Sequence, residues 1–342
     1  MAPIFLFGQN EVSQKLVFSS YVDMYYSYDF SNPSNHDKAD FIYNFKRHNE
    51  FNANLLLVKA GYDDKKVRGN LGLMLGNYAQ YNLNTEPPWA QFVYEANLGV
   101  KLSAEHNLWL DAGIFPSHIG FESAISADCW TLTRSLVAES SPYYETGLKL
   151  SYTNQKEKLS FALLVLNGWQ KIRKPDYIQK PSCGIQVSFK PIERLLLNYS
   201  NFLGTDQADS LKAFRSFHNL YLQYNATQKI AFIWGFDIGS DKYQPKNYGI
   251  WYSPVLIARY AFNDKIKIAF RTEHYNDKHQ IIIPTNTTNG FQVTGLSANL
   301  DYNITPKAQV RLEGKRYKSK DGIFNHHSKE NYSLTTNLSL KI

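Results

Sequence analysis

Hydrophobic and polar residues alternate with a period of two along most of the chain. The C-terminal stretch NYSLTTNLSLKI shows this most clearly, because Leu334, Leu338 and Leu340 share one parity and the residues of the other parity are polar. Successive side chains of a strand point to opposite faces, so such a run predicts a strand with one apolar and one polar face. The stretch FNANLLL follows the same rule and predicts that Leu55 and Leu57 lie on the apolar face.

Sixteen segments carry this alternation and are predicted to be strands. Their approximate bounds are 16–30, 44–62, 67–78, 91–102, 106–116, 143–154, 158–170, 181–190, 194–204, 213–226, 228–240, 248–263, 265–276, 289–304, 307–318 and 331–342. The connections are alternately short (near 63–66, 103–105, 155–157, 191–193, 227, 264 and 305–306) and long (near 31–43, 79–90, 117–142, 171–180, 205–212, 241–247, 277–288 and 319–330). The pattern predicts an all-β fold, a transmembrane antiparallel up-and-down β-barrel of about 16 strands.

A soluble β-sandwich also alternates and is the competing interpretation of the pattern. The central apolar faces of the segments lack Lys, Arg, Asp and Glu, and a lysine or arginine there would cost about 2–4 kcal/mol at the bilayer midplane. Aromatic residues collect at the predicted short-turn rim: Tyr152, Phe189, Tyr224, Phe262 and Tyr302. Both observations favour the barrel. Four apolar residues fall on the predicted lumen parity, and the alternation does not explain them: Leu164, Leu166, Val255 and Ile257.

Composition excludes several other classes of protein. No apolar run reaches the roughly 18 residues of a transmembrane helix. The two cysteines, Cys129 and Cys183, lie in different segments and form no metal-binding motif, and no nucleotide-binding motif is present, so no cofactor or metal site is predicted. The net charge of +7 is spread along the chain rather than gathered in a basic patch, which argues against nucleic-acid binding.

The N-terminal stretch MAPIFLFGQNEVS resembles the end of a secretory signal, because a short apolar run is followed by small and polar residues. The basic region expected before that run is missing. Residues 1–9 are predicted to be a truncated signal peptide, cleaved near Gly8 and Gln9, and residues 10–342 a single barrel domain.

Several stretches resemble the OmpL-like β-barrel porins of Gram-negative outer membranes. They are YVDMYYSYDF, RHNEF, VRGNLGLMLGNY, GIFPSHIGFESA, WTLTRSLVAESSPYYETG and LNGWQ, concentrated in residues 21–170. The resemblance implies a channel for small hydrophilic solutes in the cell outer membrane, and it does not identify the solute. The chain departs from many outer-membrane barrels by ending in Leu-Lys-Ile instead of an aromatic residue.

The long connection 117–142 is the third external loop in this scheme, and porins fold that loop inward to narrow the lumen. The loop acids and the basic residues of the opposite strands are predicted to form a charged pore constriction. The predicted constriction residues are Glu122, Asp128, Arg134, Glu139, Arg259, Arg271, Glu273, Arg311 and Lys315. The alternative is that these charges pair with one another and pin the loop. Trp130 and Phe121 are expected to pack the loop against the barrel wall.

Further polar residues are predicted to line the lumen: His48, Glu50, Asn52, Glu95, Asn97 and Lys149. With sixteen strands the barrel is wide enough for an aqueous channel, so a passive diffusion channel with a weak anion preference is the leading hypothesis. A plugged, structural or receptor barrel that acts with a partner protein is the alternative. Sixteen-stranded porins are commonly trimers, so a homotrimer is predicted here by analogy alone.

A barrel enzyme is a third hypothesis. Its candidate groups are Ser117 and His118 with Glu122, or His36 with Asp37 in the first loop. Adjacent residues of a strand point to opposite faces, so Ser117 and His118 are poorly placed as nucleophile and base. The sequence therefore favours a protein that is not an enzyme.

Overall fold

The computed structural model describes residues 16–342, and the predicted signal peptide lies outside the described residues. The strands are β1 (Leu16–Asp29), β2 (Phe51–Asp63), β3 (Val67–Leu75), β4 (Val93–Lys101), β5 (Asn107–Pro116), β6 (Tyr144–Thr153), β7 (Leu159–Leu166), β8 (Ser182–Ile192), β9 (Leu195–Gly204), β10 (Arg215–Asn225), β11 (Ile230–Gln244), β12 (Asn247–Ala261), β13 (Ile266–Asp277), β14 (Phe291–Asn303), β15 (Ala308–Ser319) and β16 (Glu330–Lys341). Two short α-helices lie in the connections, α1 (Asn77–Asn82) and α2 (Leu136–Glu139).

The strands form one closed antiparallel barrel in sequence order, and β1 pairs with β16 to complete it. Closure leaves no sheet edge, so the strands satisfy one another's backbone hydrogen bonds, which a lipid environment requires. The prediction of a sixteen-strand up-and-down barrel is confirmed. Within residues 16–342, no helix has the length and apolar character needed to cross a bilayer.

The two rims differ as the sequence predicts, with one exception. Tight turns join β2 to β3, β8 to β9 and the later pairs at one rim, and long loops join the strands at the other. The predicted long loop at 241–247 is wrong, because only residues 245 and 246 separate β11 from β12. These two strands keep pairing up to Gln244 and Asn247, so the polar residues taken for a loop are the top of a long hairpin.

The exterior is apolar and the interior polar. On β16, Leu338 is exposed and Asn337 is buried inside the barrel, in agreement with the alternation. Phe189, Phe262 and Tyr302 are exposed near the short-turn rim, where an aromatic girdle meets lipid headgroups. An apolar outer surface that would be a liability in water is the expected face of a barrel in a bilayer.

The prediction for FNANLLL is wrong for its second half. The register between β1 and β2 shifts between Asp23 and Met24, so that Asp23 pairs with Leu55 and Met24 pairs with Ala53. The shift leaves Asn54 as an extra residue, and a bulge of this kind exchanges the two faces of a strand. Leu55 and Leu57 therefore point into the barrel, where they are 0% and 3% exposed.

Loops fill the long-loop half of the interior. The largest apolar cluster contains Phe41 from the first external loop, Leu136 from α2, Ile283 from the loop after β13 and Phe324 from the loop after β15. The hydrophobic core of the protein is thus inside the barrel and is built between strands and loops.

Candidate functional site: a loop held inside the barrel

The connection between β5 and β6, residues 117–143, is here called the inner loop. Asp128 is its only exposed residue, and the others are buried or half-buried. Two local features shape it: Gly120 has a φ of +86°, a conformation that favours glycine, and the Ser135 side chain accepts a hydrogen bond from the Ala138 N–H to cap α2.

The loop begins at a buried polar cluster. His118 Nδ1 lies 2.8 Å from a Glu145 carboxylate oxygen and His118 Nε2 lies 2.8 Å from the Asn201 carbonyl oxygen. Both acceptors require the imidazole to donate, so neither ring nitrogen is free to act as a base. Ser117 donates to the same carboxylate at 3.2 Å. The predicted Ser117 and His118 pair is therefore occupied in anchoring the loop to β6 and β9, and Glu122 is not part of this cluster.

Arg271 of β13 is the centre of the charged contacts with the inner loop. Its guanidinium donates to the Thr133 carbonyl at 2.8 Å and pairs with Glu313 at 2.9 Å and Glu273 at 3.4 Å. The two carboxylates also hold the loop directly. Glu313 accepts a hydrogen bond from the Thr133 N–H at 2.5 Å, and Glu273 accepts one from the Leu136 N–H at 2.6 Å.

Arg311 of β15 makes a second set of charged contacts. It pairs with Asp301 of β14 at 2.6 Å and donates to the loop carbonyls of Ser126 at 2.7 Å and Cys129 at 3.1 Å. Arg311 and Arg271 are 1% and 2% exposed. We call Arg271, Glu273, Asp301, Arg311 and Glu313 the charged wall. Its guanidiniums bind the loop rather than facing an open gap.

The remaining charges of the predicted constriction are mostly internal to the loop. Arg134 is fully buried and donates to the carbonyls of Ser123 at 2.6 Å and Ala124 at 2.9 Å. Glu122 lies 3.7 Å from the Arg271 guanidinium and accepts a hydrogen bond from the Ser135 N–H. These contacts fold the loop into a compact unit with an arginine at its centre.

Glu139, Lys315 and Asp128 tie the loop to its surroundings. Glu139 accepts a hydrogen bond from the Tyr43 N–H of the first external loop at 3.0 Å, and burial raises the pKa of its carboxyl group. Lys315 donates to the Arg134 carbonyl at 2.8 Å. Asp128 forms an exposed ion pair with Lys341 at 2.5 Å. Arg259 differs from these, because its guanidinium lies over the Trp130 ring at 4.2 Å.

The loop also packs on apolar side chains of the lumen, on β7, β11 and β12. Trp130 and Val137 form one cluster with Ile233, Val255 and Ile257, against which Phe121 also packs. Ile119 and Leu136 belong to a second cluster with Leu164 and Leu166. We call Leu164, Leu166, Ile233, Val255 and Ile257 the apolar wall. The four lumen-parity residues that the alternation left unexplained are thus the surface on which the loop rests.

The inner loop also reaches the first strands of the barrel. Ser126 lies 2.7 Å from the Tyr21 hydroxyl and donates to Asp23 at 2.9 Å, both on β1. Ala124 and Ile125 pack in a cluster with the inward-turned Leu55 and Leu57. The loop therefore contacts the barrel on both sides of the lumen.

A cavity of about 750 Å³ lies above the loop, at the long-loop rim. We call it the external vestibule; it is lined by the first external loop, the loops after β13 and β15, and Glu139 and Ser140 of the inner loop. Lys38, one of its lining residues, is buried and donates to the Ser27 hydroxyl at 2.8 Å. Burial lowers the pKa of Lys38 to about 7.

The predicted lumen-lining residues lie in two places, on the inward faces of strands and in the first external loop. Glu95, Asn97 and Lys149 lie on inward faces of β4 and β6, where Glu95 pairs with Lys59 at 2.5 Å. His48 and Glu50 lie before β2 in the first external loop, because that strand begins at Phe51. There His48 accepts a hydrogen bond from the Asp29 N–H, and Glu50 pairs with Arg47 and with the Asn52 amide.

Several residues of the site are absent from the sequence prediction. Asp301 and Glu313 complete the charged wall, and Thr131 and Thr133 supply the loop oxygens that Arg271 contacts. Asp301 has the same strand parity as Asn299, and Glu313 has the same parity as Arg311. The alternation therefore predicts that both acids face the lumen. The two threonines carry no such signal, since the loop has no periodicity.

A closed sixteen-strand barrel with an apolar exterior, a polar interior and an inner loop defines the class: an outer-membrane protein of the porin type. The chain belongs to the family described as "Putative beta-barrel porin-2, OmpL-like", whose match covers residues 15–341. The protein is accordingly a porin of the outer membrane. No curated protein matches the sequence.

Solved porin structures share the fold at low sequence identity. An anion-selective porin from Comamonas acidovorans superposes with a TM-score of 0.63 at 10% identity, covering 96% of this chain and 99% of that one. OmpF of Salmonella typhi in complex with daunomycin gives 0.63 at 11% identity, covering 96% and 97%. The trimer form of OmpT from Vibrio cholerae gives 0.58 at 10% identity, covering 96% and 99%. These similarities concern the fold.

Proposed function

We propose that the protein is a passive diffusion channel for small hydrophilic solutes, in which the inner loop forms a charged constriction with a weak preference for anions. The observation that carries the proposal is the placement of the inner loop across the lumen, held by the charged wall on β13 to β15 and by the apolar wall on β7, β11 and β12. A solute that enters the external vestibule must pass this loop to reach the short-turn rim.

Lumen charge supports the anion preference. Lys149 and Arg259 point into the barrel and lie over the rings of Phe115 and Trp130. Within residues 16–342, neither forms an ion pair with a carboxylate within 4.0 Å. Basic groups without a bound acid attract anions, and low-dielectric walls strengthen their field.

A plugged barrel that acts with a partner is the second candidate. The specific observation in its favour is that the inner loop contacts strands on both sides of the lumen, through His118 to Asn201 on β9 and through Ser126 to Tyr21 on β1. A loop fixed at both sides narrows the lumen more than one that follows a single wall.

A homotrimer is the proposed assembly. Its support is that the fold is shared with a porin whose structure is described as a trimer form. Chemical cross-linking of the folded protein in bilayers would give a dimer and trimer ladder if the proposal holds, and only monomer if it does not.

The test of channel function is single-channel current in a planar bilayer, with the reversal potential measured across a potassium chloride gradient. The proposal predicts stable current steps and a reversal potential on the anion side. The double variant Lys149→Glu and Arg259→Glu should shift it toward cations, whereas the control Lys180→Glu, at an exposed position in the loop after β7, should leave it unchanged. An absence of steps from protein that shows heat-modifiable migration would reject the channel and favour the plugged barrel.

A further inference from the structure

The lipid-facing surface of β12 to β16 contains a hollow of about 680 Å³, here called the outer groove. It lies outside the barrel, separate from the lumen. The rows of paired residues explain its shape: Ala258 pairs with Phe270, Phe270 with Ala298, and Ala298 with Gly314. Three of these four outward positions carry a methyl group or no side chain. A Cβ added at Gly314 would meet only the tip of Leu334, at 4.0 Å, so the surface is open there.

Larger residues border the groove on the side of the long loops. Phe30 and Tyr332 are exposed and line it, and Arg316 stands in the next outward row of β15. Because β15 runs from a short turn toward a long loop, this side is the external one. The border of the groove therefore lies near the external headgroups, and the hollow over Gly314 lies directly below it, beside Leu334.

The border is basic. The outward positions at the end of β15 are occupied in turn by Arg316, Lys318 and Lys320. Arg316 pairs with Glu330 at 2.8 Å, yet its Nε–H has no hydrogen-bond partner in the described structure. Lys318 and Lys320 are exposed, and their ammonium groups make no hydrogen bond or ion pair among residues 16–342. The cluster retains a net positive charge after the single ion pair is formed.

We propose that the outer groove is a specific binding site for a phosphate-bearing lipid of the outer leaflet. An acyl chain fills the hollow over Ala298 and Gly314, and the phosphate accepts hydrogen bonds from Arg316 and Lys318. Guanidinium and ammonium groups bind phosphate through charge-assisted hydrogen bonds, and basic clusters at membrane depth select anionic headgroups.

Charge complementarity favours this lipid over a second copy of the chain. On the outward faces of the described strands, Glu330 is the only acidic residue, and it is already paired with Arg316. A second barrel would therefore bring no carboxylate from its strands to meet Lys318 and Lys320. A lipid phosphate supplies the missing negative charge, and a flexible acyl chain fits a hollow that the convex side of another barrel does not.

The test is native mass spectrometry of the folded full-length protein released from detergent with two probes: lipid A bearing two phosphates, and the same lipid after phosphatase treatment. The expected result is one phosphorylated lipid retained per barrel and at least tenfold lower retention of the dephosphorylated form. The variant Arg316→Ala with Lys318→Ala, which changes residues of the outer surface only, should lower retention of the phosphorylated lipid at least tenfold. Filling the hollow with Ala298→Leu and Gly314→Leu should do the same.

Matched controls are Lys242→Ala, an outward basic residue of β11, and Ala112→Leu, an outward alanine of β5; both should retain lipid as the wild type does. Equal retention of the two probes, or full retention by Arg316→Ala with Lys318→Ala, would overturn the proposal. Loss of the oligomer in the hollow-filling variant with lipid retention unchanged would also overturn it, because the surface would then be a subunit interface.

Discussion

The two walls that hold the inner loop use different physical chemistry. The charged wall binds loop backbone groups through directed hydrogen bonds from Arg271 and Arg311 and to Glu273 and Glu313. The apolar wall buries Trp130 and Val137 without directional bonds. Burial of apolar surface supplies binding free energy, whereas buried ion pairs are costly to desolvate and mainly fix geometry. The comparison indicates that the apolar wall keeps the loop inside and the charged wall sets its position.

The largest effect is expected where one partner of the charged wall is removed. Arg271→Ala leaves Glu273 and Glu313 buried without their cation, and breaking a buried pair in this way costs about 3–5 kcal/mol. We expect a lower urea midpoint of unfolding in vesicles, together with larger and noisier current steps. The control is Arg173→Ala, which removes an exposed ion pair with Asp176 at 3.6 Å. Equal midpoints for the two variants would contradict the role of the charged wall.

A smaller effect is expected from a single polar atom in the apolar wall. Val255→Thr keeps the side-chain shape but places a hydroxyl group among apolar neighbours, at a cost of about 1–3 kcal/mol. The loop should loosen without losing its charged contacts, so the urea midpoint falls while the reversal potential is unchanged. Val67→Thr, at an exposed outward position by a short turn, is the matched control. A larger loss than that of Arg271→Ala would reverse the ranking of the two walls.

A pH effect is expected from the first external loop, which contacts Glu139 of the inner loop. The pKa of Lys38 is lowered by burial from 10.5 to about 7, so the folded protein releases this proton before the unfolded chain does. The unfolded state then binds more protons above pH 7, and stability rises with pH from about 7 toward 10. Proteolysis of this loop should slow over that range. Lys38→Met should remove this dependence, and an unchanged pH profile in that variant would assign it to another group.

The smallest effect is expected at the exposed end of the loop. Asp128 and Lys341 are 42% and 49% exposed as side chains, and exposed ion pairs contribute roughly 0–1 kcal/mol. Asp128→Asn should therefore leave the urea midpoint nearly unchanged at physiological salt. If Asp128→Asn lowered the urea midpoint as much as Arg271→Ala does, burial would not explain why some charged contacts stabilise the protein more than others.

The sequence predicted the barrel well because lipid and lumen impose a strict alternation on every strand. It failed where one residue shifts that alternation: the bulge at Asn54 turns Leu55 and Leu57 inward, and no feature of FNANLLL marks it. It also missed the hairpin of β11 and β12, whose polar tip resembles a loop.

For the site, strand parity identified Arg271, Glu273 and Arg311 as lumen residues, and the structure places all three inside the barrel. Their partners were out of reach, since most are backbone groups of a loop without periodicity, such as the Thr133 carbonyl and the Leu136 N–H. Val255 and Ile257 broke the lumen pattern, and that break was the signal for the surface that receives the loop.

The central claim is that the inner loop, held by the charged wall and the apolar wall, limits the size of the passage through the barrel. The most direct test compares single-channel conductance of the wild type with that of a variant in which residues 121–139 are replaced by a short glycine–serine linker, after heat-modifiable migration has verified folding. The account predicts small, stable, anion-preferring steps for the wild type and steps several-fold larger for the variant. Equal conductance of the two proteins would contradict it.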